Sequence, residues 1–498
     1  MRVEIIGAGV AGLSLGIRLR RRGVETVIYE REERAGGLCT AWRRGGYTFD
    51  GCLHWLLGAR EGTPFHAMWG EVADLGALRF IDFEERVDIE VPEPDGGSWH
   101  FHLYNDVDRL EEYLLRLSPD DAKTIAKWTG AIRTVARLLP LLPPRRTGGT
   151  PASPLRHAAR LAPLWRLLPL MLHWGRRTTK TFAREFRNPA LRRAVERLYM
   201  DEVGMTVAIF GQAYMSARVA AYPLGGSAAL TKLLVDTYLG LGGELRTSTG
   251  VESIVVSGGR ATGLVLSDGT TTRADAICSC ADWRWTVGHA LGRRYATKSQ
   301  KALLDAPKEA IFRSYCRAHI GYGGNLDGLP HFLRLVADYT LPDGTHFEQL
   351  EVEVNNFDTS MAPPGKTTLT VNYSTSEGGW WIGLRATSPD EYRKAKKEVE
   401  RATLDALMTA LRGTLDRTRI EVVDVVTPAT FHRHTGNTLG SSQGWTPMGN
   451  QLRRLPIGPT LPGLSGFVMA GHWLEAGGGI PIALLTALRA EKILFRPS

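Results

Sequence analysis

The sequence predicts an α/β protein: a doubly wound, Rossmann-type nucleotide-binding domain, discontinuous in sequence, joined to a mixed sheet-and-helix (α+β) domain. Three observations predict it. A strand, a glycine turn and a helix open the chain; short alternating strands return after residue 215; and a second strand–turn–helix unit lies near residue 479.

In order, RVEIIGAG is the apolar run of a buried parallel strand, AGLSLGIRLRRRG has Leu and Ile at helical spacing, and VETVIYE is a second strand, which completes a βαβ unit. GYTFDG, Gly46–Gly51, reads as a third strand ending near the same crevice. From about Phe80 to Met215 the pattern reads as helical, broken at PPRRTGGTPASP. AAYPLGGSAALTKLL then reads as a loop and a helix, and VESIVVSGGRATGLVLSDGTTTRADAICSCAD as a meander of short strands with SGG and SDG turns. The nucleotide domain is expected from residues 1–75, 215–290 and 437–498, and the second domain from 76–214 and 291–436.

In GAGVAG, Gly7 permits a tight turn, Gly9 admits a pyrophosphate close to backbone, and Gly12 lets helix pack on strand. Phosphate then sits at a helix N-terminus, where free N–H groups and the dipole favour an anion. Glu30 ends the second strand where a ribose 2′-hydroxyl partner belongs, which disfavours NADP. The turn alone serves NAD and flavin enzymes alike. Flavin is favoured by a second glycine pair in ERAGGLCT and a third glycine-rich turn in AGHWLEAGGGIP, whose helix N-terminus would suit a reduced flavin ring.

The whole combination resembles the phytoene desaturase, carotenoid isomerase and retinol saturase group of FAD-dependent oxidoreductases, within the amine-oxidase-like flavoproteins. The matching stretches are GAGVAGLSLGIRL, ERAGGLCT, YTFDGCLHWLLG, AAYPLGGSAALTKLL, NNFDTSMAPPGKTTLTV, QGWTPMGNQL and FVMAGHWLEAGGGIP. The resemblance implies FAD contacts from Gly7, Gly9, Ala11, Gly12, Glu30, Arg31, Arg34, Gly36, Gly37 and Leu38, with the backbone of Val251 at adenine. It places Gly471, Gly479, Ile480 and Pro481 around the flavin ring. It implies desaturation, saturation or isomerisation of carbon–carbon bonds in a hydrophobic, carotenoid, polyene or isoprenoid-like substrate. No second fingerprint for NAD(P)H is present.

Such chemistry needs a group that takes or gives a proton. Glu475 precedes the Ala-Gly-Gly-Gly turn and is a candidate base; the bland reading is a helix cap or a partner for an arginine. His54, in DGCLHWL, falls where the family's loop approaches the ring, and is either catalytic or a hydrogen-bonded structural histidine. His472 and Trp445 belong to the same expected neighbourhood, Trp445 as a wall over substrate or flavin. No metal site is expected. Cys278 and Cys280 share a strand face and are expected to pack, and no G-x-S-x-G elbow, P-loop or H-E-x-x-H motif occurs.

At 23% charged and 43% hydrophobic residues, the chain is an ordinary folded protein. Its net charge of +9 is concentrated between Ala131 and Arg187, where twelve basic residues face Glu185 alone; elsewhere 49 basic residues face 51 acidic ones. Interleaved with LLPLLPP and LAPLWRLLPLMLHW, this segment reads either as an anchor on an anionic membrane or as a solvated helical face. No nucleic-acid recognition motif accompanies it. Five scattered cysteines, no secretory leader and no long apolar run predict a cytoplasmic protein, which is peripheral on the inner face of the membrane if the basic segment is an anchor. Two rivals stand beside the desaturase-like reading. One is flavin-dependent tailoring of a smaller secondary metabolite; the other is a flavin-free lipid-binding escort of the Rab GDP-dissociation-inhibitor type.

Overall fold

The structure, a computed structural model, describes residues 1–139, 165, 167–199, 204–305, 311–446 and 457–495. Its first sheet is five-stranded and wholly parallel. β1 (Arg2–Ile6) lies between β2 (Glu25–Tyr29) and Ala276–Ser279, with Glu244–Arg246 and Phe467–Met469 at the edges. Val3 and Ile5 are fully buried, because a central parallel strand is covered on both faces. α1 (Val10–Arg20) lies against the helices Gly226–Gly240 and Gly479–Leu494, so a single apolar core draws on residues from both ends of the chain.

GYTFDG does form a strand, but not one of this sheet. β3 (Ala41–Arg44) and β4 (Tyr47–Asp50) make an antiparallel hairpin. The reason is the two-residue loop Gly45-Gly46, both with positive φ, which closes a tight hairpin and turns the chain back on itself. The expected meander is likewise divided: Val251–Ser257 and Arg260–Leu266 pair as a hairpin, while Ala276–Ser279 joins the parallel sheet.

A seven-stranded mixed sheet runs in the order Ile420–Val426, Ser314–Tyr322, Thr367–Thr375, His346–Val354, Phe332–Thr340, Glu85–Pro92 and Ser98–Tyr104. The last two strands correct the helical reading of the segment from Phe80. Val87, Ile89 and Val91 alternate into the core, a two-residue period that the turn at Pro94-Asp95-Gly96 completes as a hairpin.

This sheet is amphipathic in a way that positions a site. Cys316, Ala318, Leu333, Leu335, Leu350, Val352, Leu369 and Val371 pack under the helix Pro389–Ala410. The alternate residues, among them Arg317, Arg334, Glu351, Glu353 and Asn372, point to the other face and line a cavity.

Candidate functional site

Two cavities meet at one turn. The first, of about 220 Å³, lies above the ends of β1 and β2. It is lined by Gly7, Gly9, Ala11, Glu30, Arg31, Gly36, Gly37, Leu38, Val251, Gly471, Gly479, Ile480 and His472. α1 starts at Gly9 and the helix Gly479–Leu494 at Gly478, both without a capping side chain, so two helix N-termini offer free N–H groups here.

Gly12 lies behind the lining: a Cβ on it would come within 1.9 Å of the Gly7 carbonyl oxygen, which is the close helix–strand approach the sequence implies. Arg34, which is exposed, and Pro481, in the first turn of its helix, do not line the cavity. Ala8 N–H donates to Glu30 Oε2 at 2.8 Å and Glu32 N–H to Oε1 at 3.1 Å. Burial nevertheless outweighs these bonds and raises the Glu30 carboxyl above its ordinary value.

Sequence reasoning missed other residues of this wall. Asp282 is buried and accepts from Arg284 N–H, Trp285 N–H and Thr438 N–H, tying the parallel sheet to the chain around Asn437. Its signal was its place just beyond the strand Ala276–Ser279, where ligands gather in doubly wound sheets. Cys39, Cys52 and Cys280 also reach the wall. Cys278 packs as expected, but Cys280 lies past the strand end and opens on the cavity, its thiol pushed up to about 12 by burial. His472 is held neutral, down to about 4, by burial, and its Nε2 has no hydrogen-bond partner among the described residues.

The second cavity, of about 260 Å³, combines apolar rings such as Trp55, Phe83 and Phe357 with the charged face of the seven-stranded sheet. His54 Nδ1 lies 3.1 Å from Glu353 Oε1. Burial pulls the imidazole down, but the Glu353 carboxylate outweighs it and holds His54 above its ordinary value. Burial equally raises Glu353, yet His54, Arg317 and the Asn372 amide bring it down to about 2. Arg334 pairs with Glu351 at 2.6 Å, and Arg317 donates to the Gly51 carbonyl at 2.7 Å. Arg86 stands over the Tyr199 ring, and its Nη1 is buried with no hydrogen-bond partner among the described residues.

The turn Asp50–Trp55 separates the two cavities: Cys52 lines the first, and Leu53, His54 and Trp55 the second. Asp50 fixes it by accepting from Cys52 N–H, Leu53 N–H and the Ser227 hydroxyl and N–H.

Glu475 and Trp445 line neither cavity. Glu475 forms an ion pair with Arg489 of the terminal helix. Trp445, expected as a wall, is fully buried behind the first cavity, edge-on to Trp283 and Trp473, with its indole N–H donating to the Trp473 carbonyl. A large ring with a single donor satisfies both area and polarity in that cluster.

Fold and site together define a flavoprotein oxidoreductase. Residues 10–490 match the family described as "Flavin containing amine oxidoreductase", and the chain belongs to that family. It is 24% identical to the lycopene-forming phytoene desaturase of Pseudescherichia vulneris over 524 residues, covering 99% of each chain. It is 23% identical to the chloroplastic prolycopene isomerase of Daucus carota over 521 residues, 96% of this chain and 77% of that one. An oxidoreductase from Methanosarcina mazei shares the fold with a TM-score of 0.61 at 18% identity, covering 98% and 99% of the two chains. A triple mutant of putrescine oxidase does so at 0.61 and 13%, covering 99% and 98%. The protein is an enzyme and its cofactor is FAD. The glycine-floored cavity, two uncapped helix N-termini and a His472 nitrogen without a partner among the described residues fit that group. This favours an enzyme over the flavin-free escort.

Proposed function

We propose that the enzyme desaturates, saturates or isomerises carbon–carbon bonds of a hydrophobic, polyene- or isoprenoid-like substrate held in the second cavity. Near full-length similarity to carotenoid enzymes supports this reading. The observation that carries it is the shared turn Asp50–Trp55, which sets a proton-carrying residue, His54, between the cofactor cavity and a ring-lined chamber.

FAD supplies a two-electron acceptor or donor. The N-terminus of α1 and the Gly36-Gly37 loop would hold its pyrophosphate, Glu30 its ribose, Val251 the adenine, and Gly471, Gly479 and Ile480 the ring. Arg34 and Pro481 would serve this end from outside the wall. Glu353 orients His54 through Nδ1, which leaves Nε2 to hold or take a proton on the substrate side. Glu475, through Arg489, positions the turn ahead of the terminal helix. In this division of labour, the parallel sheet serves FAD and the seven-stranded sheet serves the substrate.

A second reading is favoured by the charged wall. Unbroken hydrocarbon would offer no partner to Arg86 Nη1, which has none among the described residues, and that is costly. A cavity of about 260 Å³ suits a compact metabolite, or an isoprenoid with a polar end that meets Arg86. Anaerobic flavin bleaching with a C40 hydrocarbon, a shorter oxygenated polyene and a small metabolite separates the readings. Bleaching by none of the polyenes, together with no saturated or isomerised product from the reduced enzyme, would end the carbon–carbon assignment for that class.

Delivery from an anionic membrane fits the surface. Trp165, Leu168, Met171 and Leu172 are exposed at or beside the helix Leu168–Trp174, next to Arg176 and Arg177. Such a patch beside basic residues suits headgroup insertion, each basic residue adding about 1 kcal/mol. Arg145, Arg146, Arg156, Arg160 and Arg166 lie outside the described residues. No described helix is long and apolar enough to cross a membrane. We place the enzyme at the cytoplasmic face of that membrane.

A further inference from the structure

The two cysteines of the cofactor wall come from opposite sides of one hairpin. Ala41 pairs with Asp50, and just beyond the strand ends Gly51 N–H donates to the Thr40 carbonyl at 2.9 Å; Cys39 and Cys52 are the next residues on either side of that bond. Both thiols are free and line the cofactor cavity, and each shifts the other's titration, Cys52 raising Cys39 and Cys39 lowering Cys52.

The frame around them is rigid. Cys52 N–H is held by Asp50 at 2.8 Å, Ser227 is held by the same carboxylate, and Cys39 Sγ points to the Ser227 carbonyl at 4.0 Å. Cys52 also sits at the boundary of the two cavities. Electron exchange with substrate requires the flavin ring at that boundary, since reacting atoms must approach to about 3–3.5 Å. The pair therefore lies at the ring end.

We propose that Cys39 and Cys52 form a redox-active dithiol/disulfide pair that exchanges two electrons with the bound flavin. Cys39 lowers Cys52, against burial and aided by Arg317 and His54, while Cys39 itself is raised, so Cys52 gives up its proton the more readily of the two. In the forward step an S–S bond forms between thiolate and thiol. The S–H bond of Cys39 breaks, and its proton with two electrons passes to oxidised flavin, giving the anionic reduced form. Charge and atoms balance without another reactant.

The test uses purified holoenzyme, with flavin absorbance confirming that the cofactor is loaded. Oxidised enzyme is titrated anaerobically with dithionite, and a second portion is denatured, alkylated and digested with trypsin. The expected result is four electron equivalents per flavin, three alkylated cysteines of the chain's five, and a disulfide joining peptides 35–43 and 45–60. Cys52→Ser and Cys39→Ala each drop to two equivalents. Two equivalents in the wild type, with all five cysteines alkylated, would overturn the proposal. The peptide map does not depend on whether either variant folds, and loss of flavin would register separately in the absorbance.

Discussion

The His54 imidazole meets the Glu353 carboxylate at 3.1 Å, joining the turn between the cavities to the charged face of the seven-stranded sheet. His54 is raised, so its half of the pair's contribution is complete below the ordinary imidazole value of 6.5 and fades as pH rises through the folded value. Glu353 is lowered, so its half is complete above 4.5 and fades as pH falls toward about 2. In Glu353→Gln, His54 loses its largest raising partner while burial and Arg317 still lower it against Cys52 alone, and NMR of the histidine should show its midpoint below 6.5. His54→Gln should slow flavin reduction about a hundredfold or more with KM little changed. A wild-type rate would remove His54 from the chemistry.

Gly12→Val places a side chain where a Cβ already meets the Gly7 carbonyl oxygen at 1.9 Å. The phosphate turn must then open. The expected outcome is folded protein that purifies without visible flavin absorbance and shows no saturable uptake of added FAD by calorimetry.

Glu475→Gln breaks an ion pair whose side chains are 23% and 31% exposed. Pairs that solvent reaches contribute about 0.5–1 kcal/mol at most, so denaturant midpoints should shift little. Rapid-mixing rates of flavin reduction should stay within about twofold of wild type. A hundredfold loss would return Glu475 to the role of base.

Replacing Trp165 and Leu172 by Asp together should abolish flotation with anionic liposomes, since inserting each such side chain contributes about 1.5–3 kcal/mol. Flavin reduction by substrate presented in detergent should be unchanged. Equal flotation of the double variant and the wild type would rule out this face.

Arg86→Met removes a guanidinium of the second cavity whose Nη1 has no hydrogen-bond partner among the described residues. For a substrate with an anionic or carbonyl end, KM should rise about tenfold or more, the worth of a charged hydrogen bond. For a hydrocarbon it should fall or stay level. Identical KM changes for both would detach Arg86 from substrate recognition.

Much of the cofactor wall was legible because it is built locally. A strand, a glycine turn and a helix are contiguous in sequence, and phosphate binding there uses backbone N–H groups that neighbouring glycines expose. The second cavity was not legible. SYCRAHIGY, FLRLVADYT, HFEQLEVEV and TTLTVNYST each alternate, but alternation alone leaves open whether the polar face meets water or a chamber. The hairpin β3–β4 shows the same limit: its residues specify a strand, and Gly45-Gly46 decides which neighbour it pairs with.

By itself, then, the sequence determined the nucleotide fold and the phosphate turn, since short-range geometry carries both, and the flavin only when the distant glycine turns of ERAGGLCT and AGHWLEAGGGIP are taken together. Tertiary structure alone decided that Arg86, Arg317, Arg334, Glu351 and Glu353 face one chamber, and that Glu475 turns away to Arg489. It also brought both Cys39 and Cys52 to the cofactor wall. Strand pairing and sheet packing fix which face of each strand is enclosed, and those are contacts between segments distant in the chain.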